Sequence, residues 1–324
     1  MKASDLTAYA GRALLRGLRR SGNEGLRAEI ARFVMENRFP ADLAPELPIE
    51  VACDDSTLRE LWARVRDAWE RLGKEEPYWS VCTADSFKQS NFRRNEKEFW
   101  DSGQFITGRM KDWARRNGIE CRPDWVCLEY GCGTGRTTRW LCQDFQSVIA
   151  CDISGPHLAL ARGALDRFGC KNVEFLEVSS LDVLDRRPPV DLLFSMLVLQ
   201  HNPPPVIAYV LDHLLGKLNP GGIAFFQVPT FDPAYSFGVR EYLDAAEHPK
   251  IEMHVLPQRH VFQIAAKQDC EIVEAQPDNW TSNLAAVSTT FLMRKRIAPI
   301  THDDIVASPP SRPGFGAGIS EPRP

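Results

Sequence analysis

The 324-residue sequence lacks several features that would point to particular classes of protein. No CxxC pair occurs among its nine cysteines, so neither a zinc ribbon nor a thioredoxin-like redox site is indicated. No apolar run is long enough to cross a bilayer, and the opening residues MKASDLTAYAGR contain no uninterrupted apolar core of a secretory signal. An odd cysteine count without such a signal predicts reduced thiols and a cytoplasmic location.

A strong excess of charge of one sign is also missing. The net charge is -4 and the isoelectric point is about 6.0. This balance argues against nucleic acid as the main partner, because phosphate binding usually concentrates lysine and arginine on one face. The composition, 44% hydrophobic and 25% charged, is that of an ordinary globular protein.

Patterning along the chain predicts four regions. Residues 1–75 are predicted to form a helical extension, and residues 76–121 a second helical segment rich in aromatic side chains. Residues 122–296 form an α/β domain, and the proline- and glycine-rich tail 297–324 is predicted to be disordered. The first helix is basic, which suits a membrane surface, but a lid helix or a homodimer helix is favoured.

Seven short apolar runs in the third region alternate with helical segments. The first five are apolar on both faces, as strands of a buried parallel sheet are, whereas the last alternates like an antiparallel strand near an edge. This order predicts a doubly wound, Rossmann-like α/β sheet of about seven strands. The runs cover residues 125–130, 147–152, 173–177, 190–197, 222–228, 270–275 and 286–293.

The first run leads into a glycine-rich turn, Glu-Tyr-Gly-Cys-Gly-Thr-Gly, at residues 129–135. Glycine permits positive φ and lets a ligand approach the backbone. A dinucleotide site would want its third glycine where Arg136 stands, and Glu129 is unfavourable beside a pyrophosphate. The turn therefore favours a ligand with a cationic amino-acid end. Asp152 ends the next run, where a carboxylate can accept hydrogen bonds from ribose hydroxyls.

These motifs, together with residues 191–195 and 218–222, resemble the ordered motifs of class I S-adenosylmethionine-dependent methyltransferases. The resemblance covers roughly residues 122–295 and implies S-adenosyl-L-methionine as cofactor. It also implies that Glu129 orients the methionine ammonium group, that Asp152 binds the ribose and that Ile153 packs on the adenine. The other residues that it assigns to cofactor binding are Gly131, Gly133, Gly135, Ser180, Leu181 and Ser195.

Two segments ahead of the first strand resemble those of a bacterial subset of the superfamily. They are Trp-Ser-Val at residues 79–81 and Phe-Trp-Asp-Ser-Gly at residues 99–103. That resemblance implies a carbohydrate or surface-polymer pathway and a helical segment, residues 76–121, that covers the cofactor. The simpler interpretation is that the aromatic side chains hold the extension against the core.

His201 follows the fourth strand and is predicted to face the same crevice as the cofactor. A neutral imidazole there could take the proton from an acceptor hydroxyl, although His201 could equally shape the loop. Residues 202–205, Asn-Pro-Pro-Pro, come too late for the motif of amino-group methyltransferases and predict a helix start. His248, His254 and His260 lack the spacing of metal ligands, so no metal is predicted.

The sequence thus predicts an enzyme that methylates an oxygen of a small molecule or saccharide by in-line displacement. Two alternatives stay open. One is a protein that binds S-adenosylmethionine without catalysis. The other is a nicotinamide-dependent oxidoreductase, which Glu129 and Arg136 disfavour.

Overall fold

The computed structural model describes residues 47–246, 249–278, 280–281 and 286–297. The helices predicted near residues 6–20 and 24–37 lie outside the described residues, as do His248 and the tail from residue 298. Among the residues described, no helix is both long enough and apolar enough to pass through a membrane.

Helices precede the sheet and then alternate with its strands. The first begins where Asp54 accepts a hydrogen bond from the Thr57 amide, as its position before an amphipathic run predicts. The helices are α1 Asp55–Glu75, α2 Pro77–Val81, α3 Gln89–Arg116, α4 Thr138–Asp144, α5 Gly155–Arg167, α6 Pro204–Gly216, α7 Val239–Asp244 and α8 Gln258–Lys267. Short 3₁₀ turns cover Asp85–Phe87, Leu181–Arg186 and Leu199–His201.

The seven predicted strands form one sheet in the order β3-β2-β1-β4-β5-β7-β6. The first five are parallel, and β7 runs antiparallel between β5 and β6. The predicted Rossmann-like α/β fold is confirmed. The strands are β1 Val126–Tyr130, β2 Ser147–Asp152, β3 Val173–Glu177, β4 Val190–Ser195, β5 Leu218–Phe231, β6 Cys270–Asp278 and β7 Val287–Lys295.

The fifth strand begins earlier than its sequence indicates. Proline and glycine at residues 220–222 predict a turn before the strand, but β5 already pairs with β4 at Leu218. Four residues, 219–222, bulge out opposite Asp191, and Gly221 takes a φ of 84° there. The predicted turn is thus a bulge inside the strand.

Alternating side chains of the strands feed two apolar layers, one on each face of the sheet. On one face, Leu128 packs in the cluster that α1, α6 and α8 complete. On the other, its neighbour Cys127 packs in the cluster that α3 completes. Because side chains alternate between the two faces of the sheet, neighbouring residues of one strand pack against different helices.

Helices α1 and α3 dock closely on the loops at that edge. A Cβ on Gly73 of α1 would lie 2.7 Å from Ser154 Oγ, and the Gly155 amide donates to Glu70 Oε1 over 2.8 Å. An aromatic cluster joins the extension to α5, with the rings of Tyr78 and Phe92 stacked 3.4 Å apart. The aromatic segments therefore hold the extension on the core, as their simpler interpretation predicts.

Five of the cysteines bear on the predictions for thiols. Cys127, Cys132 and Cys151 are fully buried, and burial raises the pKa of each thiol, so they act as apolar residues as predicted. Cys142 and Cys170 form a disulfide with their Cα atoms 6.1 Å apart. The prediction of reduced thiols is wrong for this pair, which the fold brings together from residues 28 apart in sequence.

Candidate active site

A cavity lies at the carboxyl ends of β1, β2 and β4, with about 720 Å³ of space free of protein atoms, part of it open to solvent. Its floor is the glycine turn and Asp152, and its far wall is the loop after β4. Trp69 of α1 and Val81 of α2 close it from the extension. We call it the first cavity. Open parallel sheets bind ligands at this edge, where the strand order reverses between β1 and β4.

Gly131 and Gly133 line the first cavity with positive φ angles of 80° and 55°. A Cβ on Gly131 would lie 2.3 Å from Val198 Cγ2, and one on Gly133 would lie 2.6 Å from Val81 Cγ2. Side chains at these positions would therefore fill the space between the turn and its cover. Gly135 instead faces α5 and packs near Leu165, outside the cavity lining.

Asp152 lines the cavity and also fixes the turn. Its Oδ2 accepts a hydrogen bond from the Gly133 amide over 2.8 Å, and its Oδ1 accepts one from the Ser154 amide over 2.9 Å. Each carboxylate oxygen has a further lone pair for a ligand hydroxyl. Ile153 follows it in the lining, in the place predicted for the adenine contact.

Glu129 is held inside the protein and is not among the residues that line the cavity. Its carboxyl group accepts hydrogen bonds from the hydroxyls of Thr137 and Thr138, at the start of α4. The reason is strand parity, since Glu129 shares the face of Cys127, which packs toward α3. Burial raises the pKa of Glu129 to about 7, although the two hydroxyls and Arg136 oppose this shift. Its contact with an ammonium group stays a prediction.

Replacing Glu129 by glutamine tests this burial. The folded-state pKa of Glu129 lies above the ordinary value of 4.5, so this carboxyl contributes stability below about pH 4.5 that is lost as the pH rises through about 7. Glutamine does not titrate. We expect the free energy of unfolding of Glu129→Gln, relative to wild type, to rise by roughly 2–3 kcal/mol between acid and pH 8 in urea titrations.

The exposed Glu177 at the end of β3 offers the matched control. Glu177→Gln should show the same difference from wild type at both pH values. An equal, pH-independent difference for Glu129→Gln would show that its carboxyl group is not buried as described.

Besides Glu129 and Gly135, three more predicted cofactor residues lie outside the cavity lining. Ser180 donates its hydroxyl hydrogen bond to Asp182, and Leu181 turns into the core because the 3₁₀ turn after β3 folds it inward. Ser195 donates to the Tyr130 carbonyl over 3.0 Å and joins the ends of β1 and β4. Cofactor contacts by these residues stay predictions that this arrangement does not favour.

Sequence reasoning missed several residues of the cavity. Trp69 comes from α1, about 60 residues ahead of the glycine turn, and its ring lies 6.1 Å from that of His157. His157 is buried between Ser154 Oγ at 2.8 Å and Ser80 Oγ at 2.9 Å. Burial lowers the pKa of His157. Only the Trp-Ser-Val segment, which supplies Ser80, gave a signal in the sequence.

Arg136 is another cavity residue that sequence reasoning missed. It lines the cavity with 6% of its surface exposed, and its Nη1 donates to Ser102 Oγ over 3.0 Å. Its Nε is buried without a hydrogen-bond partner among the described residues. In the sequence, Arg136 was noted only because it stands where a dinucleotide motif has its third glycine.

The loop after β4 carries strain and a fixed histidine. Leu197 takes a φ of 64°, which is unfavourable for leucine and is typical of functional sites. His201 Nδ1 donates to the Glu252 carbonyl over 2.7 Å, and its Nε2 lies 3.2 Å from the Gln200 amide nitrogen. Since Gln200 Oε1 accepts from Gln227, its NH₂ group faces the imidazole, and Nε2 carries the lone pair. Burial lowers the pKa of His201 to about 4, so the ring is neutral.

A second cavity, with about 1450 Å³ of space free of protein atoms, part of it open to solvent, shares Trp69 and His201 with the first. Their rings are 5.2 Å apart, where the two cavities adjoin. The rest of the lining comes from α1, α7 and residues near 250. Among its described residues, three are acidic and three basic, namely Glu60, Asp67, Glu252, Arg64, Arg71 and Lys250.

Glu252 connects this second cavity to a buried polar cluster. Its carboxylate accepts a hydrogen bond from Tyr242 Oη over 2.7 Å and lies 2.9 Å from His254 Nε2. His254 Nδ1 in turn lies 2.8 Å from Tyr235 Oη. His254 is thus engaged by its neighbours and is not among the residues that line either cavity. In the part of the chain that the structure describes, no group of three potential ligands could hold a metal ion.

Comparison with known proteins supports this arrangement. Residues 127–222, from β1 to the start of β5, match the model of the Methyltransferase domain family. The chain is 24% identical over 205 residues to a tRNA (guanine-N(7)-)-methyltransferase of Corynebacterium diphtheriae, covering 56% of this chain and 76% of that protein. It is 30% identical over 96 residues to a tRNA/tmRNA (uracil-C(5))-methyltransferase of Nitratiruptor, covering 30% of this chain and only 26% of that protein.

Among solved structures, the fold is similar to that of magnesium protoporphyrin IX methyltransferase from Synechocystis with bound S-adenosylhomocysteine. The TM-score is 0.52 at 16% sequence identity, and the match covers 72% of this chain and 99% of that one. At this identity the likeness shows the fold alone.

The first cavity fits the cofactor of this family. It offers a glycine cradle that a Cβ would fill, a carboxylate at the end of β2, and an orphaned buried guanidinium nitrogen in the wall. With the motif order, the matching domain and the sheet topology, these features lead to one conclusion. The chain carries a methyltransferase domain of the class I S-adenosylmethionine-dependent kind, and S-adenosylmethionine is its cofactor.

Proposed function

We propose that the enzyme methylates a hydroxyl oxygen of a small, polar molecule or saccharide that occupies the second cavity. The observation that carries the proposal is that Trp69 and His201 line both cavities, with their rings 5.2 Å apart. An acceptor at this junction comes next to the loop after β4, where parallel sheets place their chemistry.

The lining of the second cavity supports a polar acceptor. Its balanced charges favour a neutral or zwitterionic molecule over a polyanion. Two aromatic rings, Trp69 and Tyr242, offer flat apolar faces beside these charged groups. The Arg64 guanidinium is already held by the Tyr242 carbonyl at 2.6 Å and lies over the Tyr242 ring, so this side of the cavity is preorganised.

The residues of the first cavity have separable tasks in this mechanism. The cofactor supplies a methyl group activated by a sulfonium. Gly131 and Gly133 allow its close approach, Asp152 holds the ribose and Ile153 packs on the base. Trp69 and Val81 cover the site and exclude water. Holding acceptor and methyl group in line supplies much of the acceleration, so strong acid–base groups are not required.

His201 receives the hydroxyl proton in this proposal. The ring is neutral, and the hydrogen bond of Nδ1 to the Glu252 carbonyl keeps the lone pair on Nε2. The bound donor would supply the methyl group and keep the electrons of its carbon–sulfur bond. The acceptor hydroxyl would take the place of the Gln200 amide at the Nε2 lone pair and give its proton to it. The low pKa of His201 makes it a weak base, which suffices when the transfer accompanies methylation.

His201→Ala should lower turnover by roughly 100-fold or more across the neutral pH range. The wild-type rate should stay level above about pH 5 and fall as the pH drops through about 4, because the protonated ring cannot act as a base. Methyl transfer at several pH values measures both effects. His213→Ala, which removes a histidine on α6 that bonds the Tyr209 carbonyl, is the control. Near-normal turnover of His201→Ala would disprove the base role.

A methyl-transfer screen tests the function itself. The intact protein is incubated with methyl-labelled S-adenosylmethionine and three classes of acceptor, namely hydroxylated small molecules, saccharides and bulk tRNA. We expect label on an oxygen of a compound from the first two classes. Label on a nitrogen or carbon atom would contradict the proposal even if turnover is fast.

The similarity to two tRNA methyltransferases supports a second candidate, an RNA acceptor. RNA binding by basic side chains weakens steeply with salt, whereas a neutral small molecule responds little. Label on tRNA that is lost between low and physiological salt would favour this candidate. The acidic residues among those of the second cavity argue against it.

A further inference from the structure

An arginine without an anionic partner stands in the wall of the first cavity. Arg136 has a single hydrogen-bond partner among the described residues, Ser102 Oγ, and forms no ion pair with them. It is buried, with 6% of its surface exposed. A buried charge without compensation is costly, so a protein gains little by keeping one there unless a ligand pairs with it.

Glu129, an acidic residue close enough to act on Arg136, does not fill this role. Its carboxyl oxygens are taken by Thr137 and Thr138, and burial raises its pKa to about 7. Burial lowers the pKa of Arg136, yet a guanidinium stays charged in proteins. A positive charge therefore remains at this wall.

Residues of α3 contact this arginine and fix its position. Ser102 donates its own hydroxyl to the Phe99 carbonyl over 2.6 Å, which leaves its oxygen free to accept from Arg136 Nη1. The Arg136 guanidinium lies 6.0 Å from the centre of the Phe99 ring. A Cβ on Gly103 would lie 2.2 Å from the Arg136 carbonyl oxygen, so only glycine lets α3 approach this closely. The Phe-Trp-Asp-Ser-Gly segment thus positions Arg136.

We infer that Arg136 binds the carboxylate at the amino-acid end of S-adenosylmethionine. The donor carries a sulfonium, an ammonium group and one anion, and that anion is the natural partner of an unpaired cation. Guanidinium and carboxylate match in shape and can form two parallel hydrogen bonds. The inference rests on the cofactor alone and is independent of the proposed acceptor. An acidic acceptor is the other source of a carboxylate, and the test excludes it by leaving the acceptor out.

Calorimetric titration of the full chain with two compounds tests the inference. S-adenosylhomocysteine has the amino-acid carboxylate, whereas 5′-methylthioadenosine lacks the whole amino-acid group. Arg136→Met should weaken S-adenosylhomocysteine binding by about 10- to 100-fold and leave methylthioadenosine binding within about twofold. Retained methylthioadenosine binding also shows that the variant is folded. Arg136→Lys keeps the charge but cannot form the two parallel hydrogen bonds, so its loss of S-adenosylhomocysteine affinity should be smaller.

Two further variants sharpen the test. Arg139→Met removes the arginine three residues further along the chain, whose guanidinium lies 3.8 Å from the centre of the Phe168 ring, and should leave the ratio of the two affinities unchanged. Ser102→Ala should lower S-adenosylhomocysteine affinity by about 2- to 10-fold by releasing the guanidinium. Unchanged S-adenosylhomocysteine binding by Arg136→Met, or an equal loss for both compounds, would overturn the inference.

Discussion

Asp152→Ala should abolish most of the affinity for S-adenosylhomocysteine, with a loss of about 100- to 1000-fold. The variant loses a ribose acceptor and, at the same time, the carboxylate that holds the amides of Gly133 and Ser154. Hydrogen bonds to a charged group contribute about 1.5–3 kcal/mol each, so the loss of two hydrogen bonds from the ribose hydroxyls to Asp152 accounts for the expected change. Calorimetry with S-adenosylhomocysteine measures it.

Two variants separate these contributions. Asp152→Asn keeps one oxygen as acceptor and should fall between the wild type and the alanine variant. Asp166→Ala removes an exposed aspartate near the end of α5 and should bind normally. If Asp152→Ala binds S-adenosylhomocysteine as tightly as Asp166→Ala does, the carboxylate at the end of β2 does not contact the ligand.

Gly133→Ala should also weaken cofactor binding, by about 10- to 100-fold, and destabilise the fold by roughly 2–4 kcal/mol. Two effects add. The φ of 55° is costly for alanine, and its Cβ would lie 2.6 Å from Val81 Cγ2. Urea denaturation and calorimetry measure the two losses on the same samples.

A double-mutant cycle distinguishes the clash from the backbone strain. Val81→Ala removes the methyl group that the new Cβ would meet, so Gly133→Ala/Val81→Ala should recover part of the lost stability but not the cost of the positive φ. Gly163→Ala is the matched glycine control, because it lies in α5 with nothing within 4 Å of an added Cβ. That variant should be neutral or stabilised. Additive losses in the double mutant would show that Val81 does not cover the turn.

The strands follow from local patterns, which is why the fold class was predictable. Apolar runs set the strands, and positions at strand ends correctly placed Gly131, Gly133 and Asp152 beside one cavity. The face of the sheet on which a side chain lies is harder to predict than the strand to which it belongs. Glu129 comes one residue before the end of β1. Because side chains alternate between the two faces of a strand, its carboxyl group points toward α3 and α4.

Contacts that depend on distant segments were not predictable. Trp69 reaches the cavity because α1 docks on α5 through Gly73, and no pattern near Trp69 announces that contact. Arg136 acquires its role from Ser102, 34 residues earlier, which accepts its hydrogen bond. Single-sequence patterns describe elements, whereas such partners are decided by tertiary packing.

The central claim is that the cavity at the carboxyl ends of β1, β2 and β4 holds the methyl donor. A crystal structure of the protein grown with S-adenosylhomocysteine measures this directly. The account predicts electron density for the ligand across Gly131 and Gly133, with ribose hydroxyls on Asp152. Density for the ligand at any other place, with this cavity filled only by solvent, would contradict it.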